Sequence, residues 1–305
     1  MTNLTATDAD PTPRAKPHSA LAWAVDLLKV SRPGFWPTQL WFYLLPFGRR
    51  DMFGSPAFFL GCLYVTFPLG LLIYGWNDIF DAETDRLNGR KDSWLFGACL
   101  DDEGLRRLPA WMIAVQLPFV ALFTWLAGPK MLGWFAAMAF ANALYNQPFL
   151  GFKNRPVVDV LTQVGYLLIF VLASWLCDVP QLSIPALTFS ALFAMQGHLF
   201  GQLMDIEQDL AAGRKTSASV VGVVGGKLIV AAIVLGEAAI AFRWFSHVAV
   251  ALFMGVGSLF FLVDALAVTK SRPYPPMFAK AFFVGWNVVV VASAYAVWRT
   301  GVFML

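Results

Sequence analysis

Two short acidic stretches of the sequence match each other although they lie far apart in the chain. DAETDRLNGRK (81–91) and DIEQDLAAGRK (205–215) share Asp, Glu, Asp, Gly, Arg and Lys at the same positions. Carboxylates gathered one helical turn apart repel each other and need cations nearby. Clusters of carboxylate and amide oxygens are typical of sites for hard divalent ions such as Mg²⁺.

The spacing of the acids places them on one side of each helix. Asp78, Asp81 and Asp85 follow an i, i+3, i+7 pattern, and Asp205 and Asp209 are four residues apart. Because the two stretches are equivalent, we expect them to meet at one face of a helix bundle. The residues predicted to bind metal are Asn77, Asp78, Asp81, Asp85, Asp205 and Asp209. A plainer interpretation is that the acids only pair with neighbouring lysines and arginines.

The composition is that of a protein embedded in a membrane. Of the 305 residues, 58% are hydrophobic and only 13% are charged. The sequence predicts an all-α polytopic membrane protein, a bundle of about nine transmembrane helices, since about 20 apolar residues suffice for one crossing. The first of the nine segments contains Pro37 and Pro46 and is expected to be tilted or broken. The segments are 34–48, 57–80, 108–127, 131–149, 157–177, 182–204, 228–245, 247–268 and 279–298.

The distribution of charge predicts the orientation. Most of the 22 lysines and arginines lie in the N-terminal stretch and in the connections after even-numbered segments, and positive charge favours the cytoplasmic side. The long polar connections 81–107 and 205–227 follow segments 2 and 6 and are expected to be cytoplasmic cap loops, with GVVGG (222–226) inside the second. Residues 1–30 are assigned to a disordered cytosolic tail and 31–305 to one transmembrane domain. The expected location is a bacterial inner membrane, with the N-terminus and the active site cytoplasmic.

The acid clusters and the surrounding positive charges together indicate a particular ligand. Mg²⁺ in proteins is usually held by one or two carboxylates together with the phosphates of a substrate. Two facing carboxylate clusters, bordered by lysines and arginines, therefore describe a site for Mg²⁺ and a diphosphate.

The motifs also resemble those of a known family. NDxxDxxxD (77–85), DxxxD (205–209) and YNQPFLGFKNRP (145–156) are similar to motifs of the UbiA superfamily of intramembrane prenyltransferases. The resemblance implies transfer of a prenyl group from a polyprenyl diphosphate to a lipid-soluble acceptor, with release of pyrophosphate. It also implies that the Asn and Asp residues of the two motifs hold two Mg²⁺ ions, with Asp78 at the second position of the first motif. Many members continue with Arg-Pro-x-x-x-Gly, whereas this chain has NGRKDSWLFGA, so Lys91 is expected to replace that phosphate contact.

The resemblance and the polar stripes give further candidate residues. The expected catalytic residues are Asp81, Asp205, Asp209, Lys153 and Tyr145. The expected contacts to the diphosphate or the acceptor are Lys91, Arg155, Arg214, Lys215, Asp159, His198 and Gln202. For Asp159 the alternatives are a hydrogen-bonded helix contact or a pair with Arg155. For His198 the alternative is a satisfied interior histidine, which is the commoner role of such a residue.

Two other functions remain open at this point. A terpene cyclase of the same fold would ionise a diphosphate without a second substrate, and an ion-coupled transporter would use the acids to bind ions. Transporters usually place such groups near the middle of the bilayer, whereas these lie at one surface. The acceptor could be an aromatic quinone precursor, a chlorophyll-like acid or a carotenoid end group, and nothing in the sequence points to nucleic acid.

Overall fold

The computed structural model describes residues 19–86, 91–148, 151–245 and 247–304. These residues form helices, turns and one isolated β-bridge. The helices are α1 (Ala20–Val30), α2 (Trp36–Leu44), α3 (Pro56–Val65), α4 (Phe67–Asp85), α5 (Asp102–Ala127), α6 (Lys130–Asn146), α7 (Val158–Leu161), α8 (Leu168–Cys177), α9 (Ile184–Met204), α10 (Ile206–Ala211), α11 (Ser217–Arg243), α12 (Val248–Leu266) and α13 (Pro276–Thr300).

The helices confirm the expected class of an integral, all-α membrane protein. Within the described residues, six helical stretches are long and apolar enough to cross a bilayer. They are Pro56–Asp85, Asp102–Ala127, Val158–Cys177, Ser217–Arg243, Val248–Leu266 and Met277–Thr300. The number of nine crossings stays a prediction, because α2, α6 and α9 are not among these six stretches.

Local sequence signals start several of these helices. Ser55, Asp101 and Ser183 each accept a hydrogen bond from a backbone N–H in the first turn of the following helix, which satisfies a donor that the helix itself leaves unpaired. α11 starts with a reciprocal cap, in which Thr216 and Ser219 bond to each other's backbone N–H.

The N-terminal part of the fold differs from the expectation. Residues 20–30, assigned to the tail from the sequence, form α1, because Trp23, Leu27 and Val30 share one helical face and are buried. The first hydrophobic segment is broken as expected. A 3₁₀ turn at Pro33–Phe35 precedes α2, and another at Leu45–Phe47 follows it.

The second cap loop is shorter than expected. The sequence assigned 205–227 to a polar loop, but α10 occupies part of it and α11 begins at Ser217. The GVVGG stretch therefore lies inside a helix and not in a loop. Its first glycine, Gly222, has φ 74° and interrupts the helix locally, a backbone conformation that glycine adopts at little cost.

A close backbone contact joins the connection after α1 to α4. Gly70 of α4 packs against Ser31, and a Cβ atom at Gly70 would overlap the Ser31 carbonyl oxygen. Ser31 is fully buried and directly precedes Arg32. The missing side chain at Gly70 therefore fixes where the chain enters α2 and where Arg32 is presented.

We expect Gly70→Ala to lower the free energy of unfolding by about 1–3 kcal/mol, because the added methyl forces two packed backbones apart. Thermal unfolding of the detergent-purified protein measures the change. Gly133→Ala is the matched control, since an added Cβ there meets no atom within 4 Å. That control should be neutral or stabilise by at most about 1 kcal/mol. Equal melting temperatures for the two variants would contradict the contact.

Candidate functional site

A large cavity runs through the bundle and changes character along its length. Its volume is about 1020 Å³, and its walls come from α2, α4, α6, α9, α12 and α13. One end holds carboxylates, amides and basic side chains, among them Asn77, Asp81, Asp85, Asp205 and Asp209. The remainder is lined mainly by Phe, Trp, Val and Met side chains. We call the charged end of the cavity the mouth and the apolar remainder the arm.

The first acidic motif occupies the last turns of α4. Asn77, Asp81 and Asp85 line the cavity, whereas Asp78 does not. Asp78 is 3% exposed, and its Oδ1 accepts hydrogen bonds of 2.8 Å from Arg32 and from Lys91. Of the six predicted metal ligands, the structure therefore places Asp78 behind the wall, in ion pairs with two cations.

Lysines from two connections complete this side of the mouth. Lys91 also reaches Asp85, with a distance of 2.7 Å between its Nζ and the carboxylate oxygen. Lys153 is buried and donates to Asp81 at 2.6 Å. Each of these lysines lines the cavity, so both cations are next to any ligand that enters the mouth.

Arg214 physically links the two acidic motifs. Its Nη2 donates to Asp81 and to Thr84 of α4. Its Nη1 lies 3.8 Å from the carboxylate of Asp209 in α10. One guanidinium therefore touches both motifs, which shows that the repeated acidic stretches meet at a single place.

The second motif lies where α9 ends. Asp205 is the residue between α9 and α10, and Asp209 lies within α10. Burial raises the pKa of the Asp209 carboxyl, and Arg214 opposes that effect. The hydroxyl of Thr216, the cap of α11, lies 3.4 Å from the same carboxylate. The short polar connection after α9 therefore folds back over the mouth.

The donor set fits a hard divalent cation that is only partly held by protein. Among the described residues, no group of three His, Cys, Asp or Glu side chains converges on one point as a ready metal cage. Mg²⁺ does not need such a cage, since it is commonly bound by one or two carboxylates plus phosphate oxygens and water. Asn77, Asp81, Asp85, Asp205 and Asp209 are the cavity-lining oxygen donors that would hold it.

A hydrogen-bonded chain connects a buried aspartate to the cavity wall. Asp159 is fully buried and accepts from Gln202 and from the Ser217 backbone N–H, each at 2.7 Å. The Ala218 N–H donates to Gln202 Oε1, so the amide nitrogen of Gln202 faces His198 at 3.0 Å. Since that nitrogen can only donate, the Nε2 of His198 is an acceptor.

The end of this hydrogen-bonded chain faces the cavity. Gln202, His198 and Tyr145 line it, and the Tyr145 hydroxyl lies 3.4 Å from His198 Nε2. Asp159 is not among the cavity-lining residues, and its bond to Arg155 is from its backbone N–H to the Arg155 carbonyl oxygen, at 2.9 Å. Its carboxylate orients Gln202 from behind the wall. Arg155 instead lies over the ring of Phe152, with 5.6 Å between its guanidinium carbon and the ring centroid.

A second hollow adjoins the mouth. It is lined by Lys215 together with Asp81, Lys153 and Arg214, and its volume is about 710 Å³. Lys215 is thus near the mouth but separated from the main cavity by the Asp81 ion pairs.

Sequence reasoning missed several residues of the cavity, of which Arg32 is the clearest. Arg32 lines the cavity, bonds Asp78, and lies 4.6 Å from the ring centroid of Tyr74. Its φ of 50° is uncommon for a residue with a side chain. The sequence feature that could have identified Arg32 is its position directly before Pro33, where the first hydrophobic segment begins.

The apolar arm reaches the lipid-facing surface between α12 and α13. Val256 and Phe260 of α12 line the cavity and are 67% and 43% exposed. Val289 of α13 does the same. Side chains that face both the cavity and the outside mark an opening, through which a long apolar molecule can extend into the bilayer.

Comparison with known families agrees with this site. The model of the UbiA prenyltransferase family matches residues 35–288, which is most of the chain. Fold and match together define an intramembrane prenyltransferase. The chain belongs to the UbiA prenyltransferase family.

Relatives and solved structures add detail. A lycopene elongase/hydratase of Corynebacterium glutamicum is 26% identical over 286 residues, covering 88% of this chain and 96% of the relative. A lycopene elongase/hydratase of Haloarcula japonica is 30% identical over 201 residues, covering 64% and 67%. The structure of a UbiA homolog from Archaeoglobus fulgidus bound to GPP and Mg²⁺ superposes with a TM-score of 0.66 at 18% identity, covering 89% of this chain and 99% of that one. This last similarity shows that the fold is shared.

We expect Asp78→Asn to lower the free energy of unfolding by at least about 2 kcal/mol, because it leaves Arg32 with a weakened partner in a buried setting. Thermal unfolding in detergent measures the loss. Asp102→Asn is the control: it removes an exposed ion pair with Arg86 and should cost less than about 1 kcal/mol. If the two variants melt at the same temperature, the Asp78 pairs contribute no more than a surface pair.

Proposed function

We propose that this protein transfers a prenyl group from a prenyl diphosphate, held with Mg²⁺ at the charged mouth, to a carotenoid-type polyene lying in the apolar arm. The contact of Arg214 with Asp81 and Asp209 carries the proposal, because it places both acidic motifs at one end of a single cavity. The family supplies the type of reaction.

The charges at the mouth suit a diphosphate that arrives with divalent cations. Five carboxylates gather there or directly behind it, against four cations, so a diphosphate alone would meet net negative charge. The carboxylates are Asp78, Asp81, Asp85, Asp205 and Asp209, and the cations are Arg32, Lys91, Lys153 and Arg214. Mg²⁺ bound there would neutralise the charge that develops on the leaving diphosphate. The DMAPP and GPP complexes of the Archaeoglobus fulgidus homolog with Mg²⁺ support this assignment.

The side chains of the mouth and the arm have separate tasks in the reaction. When the allylic C–O bond breaks, its electron pair leaves with the diphosphate, and Lys153, Arg214 and Lys91 are placed to stabilise that charge. Tyr145 and Tyr74 line the same cavity, and their aromatic rings would attract the remaining allylic cation. A carbon–carbon double bond of the acceptor then attacks the cation, and the new carbocation formed on the acceptor loses a proton to the released diphosphate, which restores a double bond. The apolar arm keeps water away from the cation.

The polyene acceptor is supported by the relatives and by the shape of the cavity. The relatives named lycopene elongase/hydratase include one that this chain matches over 96% of its length. An arm lined by aromatic and aliphatic side chains and open to the lipid between α12 and α13 accommodates the end of a long hydrocarbon, while the rest lies in the bilayer. A small aromatic acceptor would not need such an opening.

The proposed orientation places the mouth at the cytoplasmic surface of a bacterial inner membrane. The basic residues around the mouth belong to the connections in which lysine and arginine are enriched, and such connections favour the cytoplasmic side. Water-soluble pyrophosphate and Mg²⁺ would then exchange with the cytoplasm, and the polyene with the membrane.

We expect purified protein with DMAPP, lycopene and Mg²⁺ to yield lycopene extended by one prenyl unit and an equal amount of pyrophosphate. Mass spectrometry identifies the polyene, and a coupled assay measures pyrophosphate. EDTA should abolish both products, and added Mg²⁺ should restore them, because the carboxylates need the cation to accept a diphosphate.

Parallel reactions separate the alternatives. Pyrophosphate released with a terpene product in the absence of lycopene would indicate a cyclase, and absence of pyrophosphate under all conditions would favour a transporter. Transfer to a hydroxybenzoate but not to lycopene would contradict the polyene acceptor while keeping the class of reaction.

We expect Asp81→Asn and Asp205→Asn each to reduce turnover by at least about 100-fold, because each removes a charged ligand at the mouth. The pyrophosphate assay gives the rate, and gel filtration shows whether the variant is folded. Asp178→Asn is the matched control, since Asp178 is an exposed residue beyond the end of α8 with φ 52°, a conformation that Asn tolerates. Wild-type turnover in either mouth variant would count against the metal site.

A further inference from the structure

A polar side chain in the apolar arm, Gln39, has no hydrogen-bond partner among the described residues. Gln39 of α2 lines the cavity and is 2% exposed. Neither its amide nitrogen nor its amide oxygen has a partner among the described residues. A buried amide without partners is costly, so such a group in a cavity wall points to a ligand that supplies the missing hydrogen bonds.

The position of Gln39 separates it from the charged mouth. Arg32, Phe35, Gln39 and Phe42 succeed one another along the cavity wall. Gln39 is seven residues beyond Arg32, across a 3₁₀ turn and one turn of α2, which is roughly 10–12 Å further along the helix axis. A ligand of Gln39 therefore lies in the arm, away from the site of the diphosphate.

The surroundings of Gln39 are aromatic. Phe42, one turn further along, packs against Phe193 with 5.7 Å between ring centroids, and Phe193 packs against Trp286 at 5.3 Å. Phe42, Phe193 and Trp286 all line the cavity. These rings contact hydrocarbon but offer little to an oxygen atom, whereas the Gln39 amide on the neighbouring turn of α2 can hydrogen-bond to one.

We propose that Gln39 is a specificity residue that binds a hydroxyl group carried by the polyene acceptor. A hydroxyl fits the amide because it accepts from Nε2 and donates to Oε1, whereas a carbonyl or an ether would satisfy only the nitrogen. This inference rests on the proposed function, in which the arm holds a polyene. It adds that the arm distinguishes a hydroxylated polyene from a plain hydrocarbon.

The test compares lycopene with a lycopene derivative hydroxylated at one end. For each, kcat/KM of prenyl transfer is measured, and binding without turnover is followed by the shift of the polyene's visible absorption. Wild type should prefer the hydroxylated polyene. Gln39→Met should lower that preference by about tenfold or more, because its apolar side chain of similar size cannot bond a hydroxyl. Gln39→Asn, which keeps an amide on a shorter stem, should retain more of the preference than Gln39→Met.

A matched control lies on the same helix. Trp41 Nε1 is also buried and has no hydrogen-bond partner in the part of the chain that the structure describes, but Trp41 does not line the cavity. Trp41→Phe should leave the preference unchanged. The melting temperature of Gln39→Met should equal or exceed that of wild type, because removing an unmatched buried amide relieves its cost.

Three outcomes overturn the inference: no preference in wild type, an unchanged preference in Gln39→Met, or equal losses with both polyenes. A failure of the proposed function is distinguishable from these outcomes. In that case wild type transfers a prenyl group to neither polyene, while the absorption shifts still report whether Gln39 selects the hydroxyl.

Discussion

The shared guanidinium of Arg214 is the contact on which the site depends. It joins Asp81, near the end of α4, to Asp209 of α10, and these helices come from distant parts of the chain. Like charges repel strongly where water is scarce, so two acidic motifs cannot approach without a cation between them. Arg214 supplies that cation within the protein, and the cavity mouth is therefore assembled before any ligand arrives.

Lysine and arginine side chains balance most of the carboxylate charge at the mouth. This balance determines how readily a diphosphate and a metal ion bind there. Asp81 is shared by Lys153 and Arg214, and Lys91 is shared by Asp78 and Asp85. A diphosphate that enters can take over hydrogen bonds from these cations and release the carboxylates for a metal. Exchange of partners costs less than gathering bare charges, because each group stays paired throughout.

The position of the site could be predicted from the sequence, but the roles of its individual residues could be predicted only in part. The spacing predicted that Asp78, Asp81 and Asp85 share one face of a helix, whereas residues 77, 81 and 85 are the ones that line the cavity. Asp78 lies about 100° around the helix from Asn77, and its burial depends on Arg32, whose position follows from tertiary packing. Helical spacing alone cannot show that contact. The same limit applies to Asp159, whose partner Ser217 lies on another helix.

Buried polar groups elsewhere in the bundle show why an unmatched one is informative. Asp264 of α12 is also buried, but Lys227 donates to it at 2.8 Å and Tyr274 at 2.8 Å. These bonds tie the chain after α12 to α11, so Asp264 has a complete structural role. Gln39 has no such bonds to any residue that the structure describes, although a leucine or methionine would pack beside the neighbouring aromatic rings without that cost. Stability alone would favour the apolar residue at this position. The amide at this position is therefore explained by a ligand that enters the cavity. Asp264 stabilises the fold, whereas Gln39 selects a ligand.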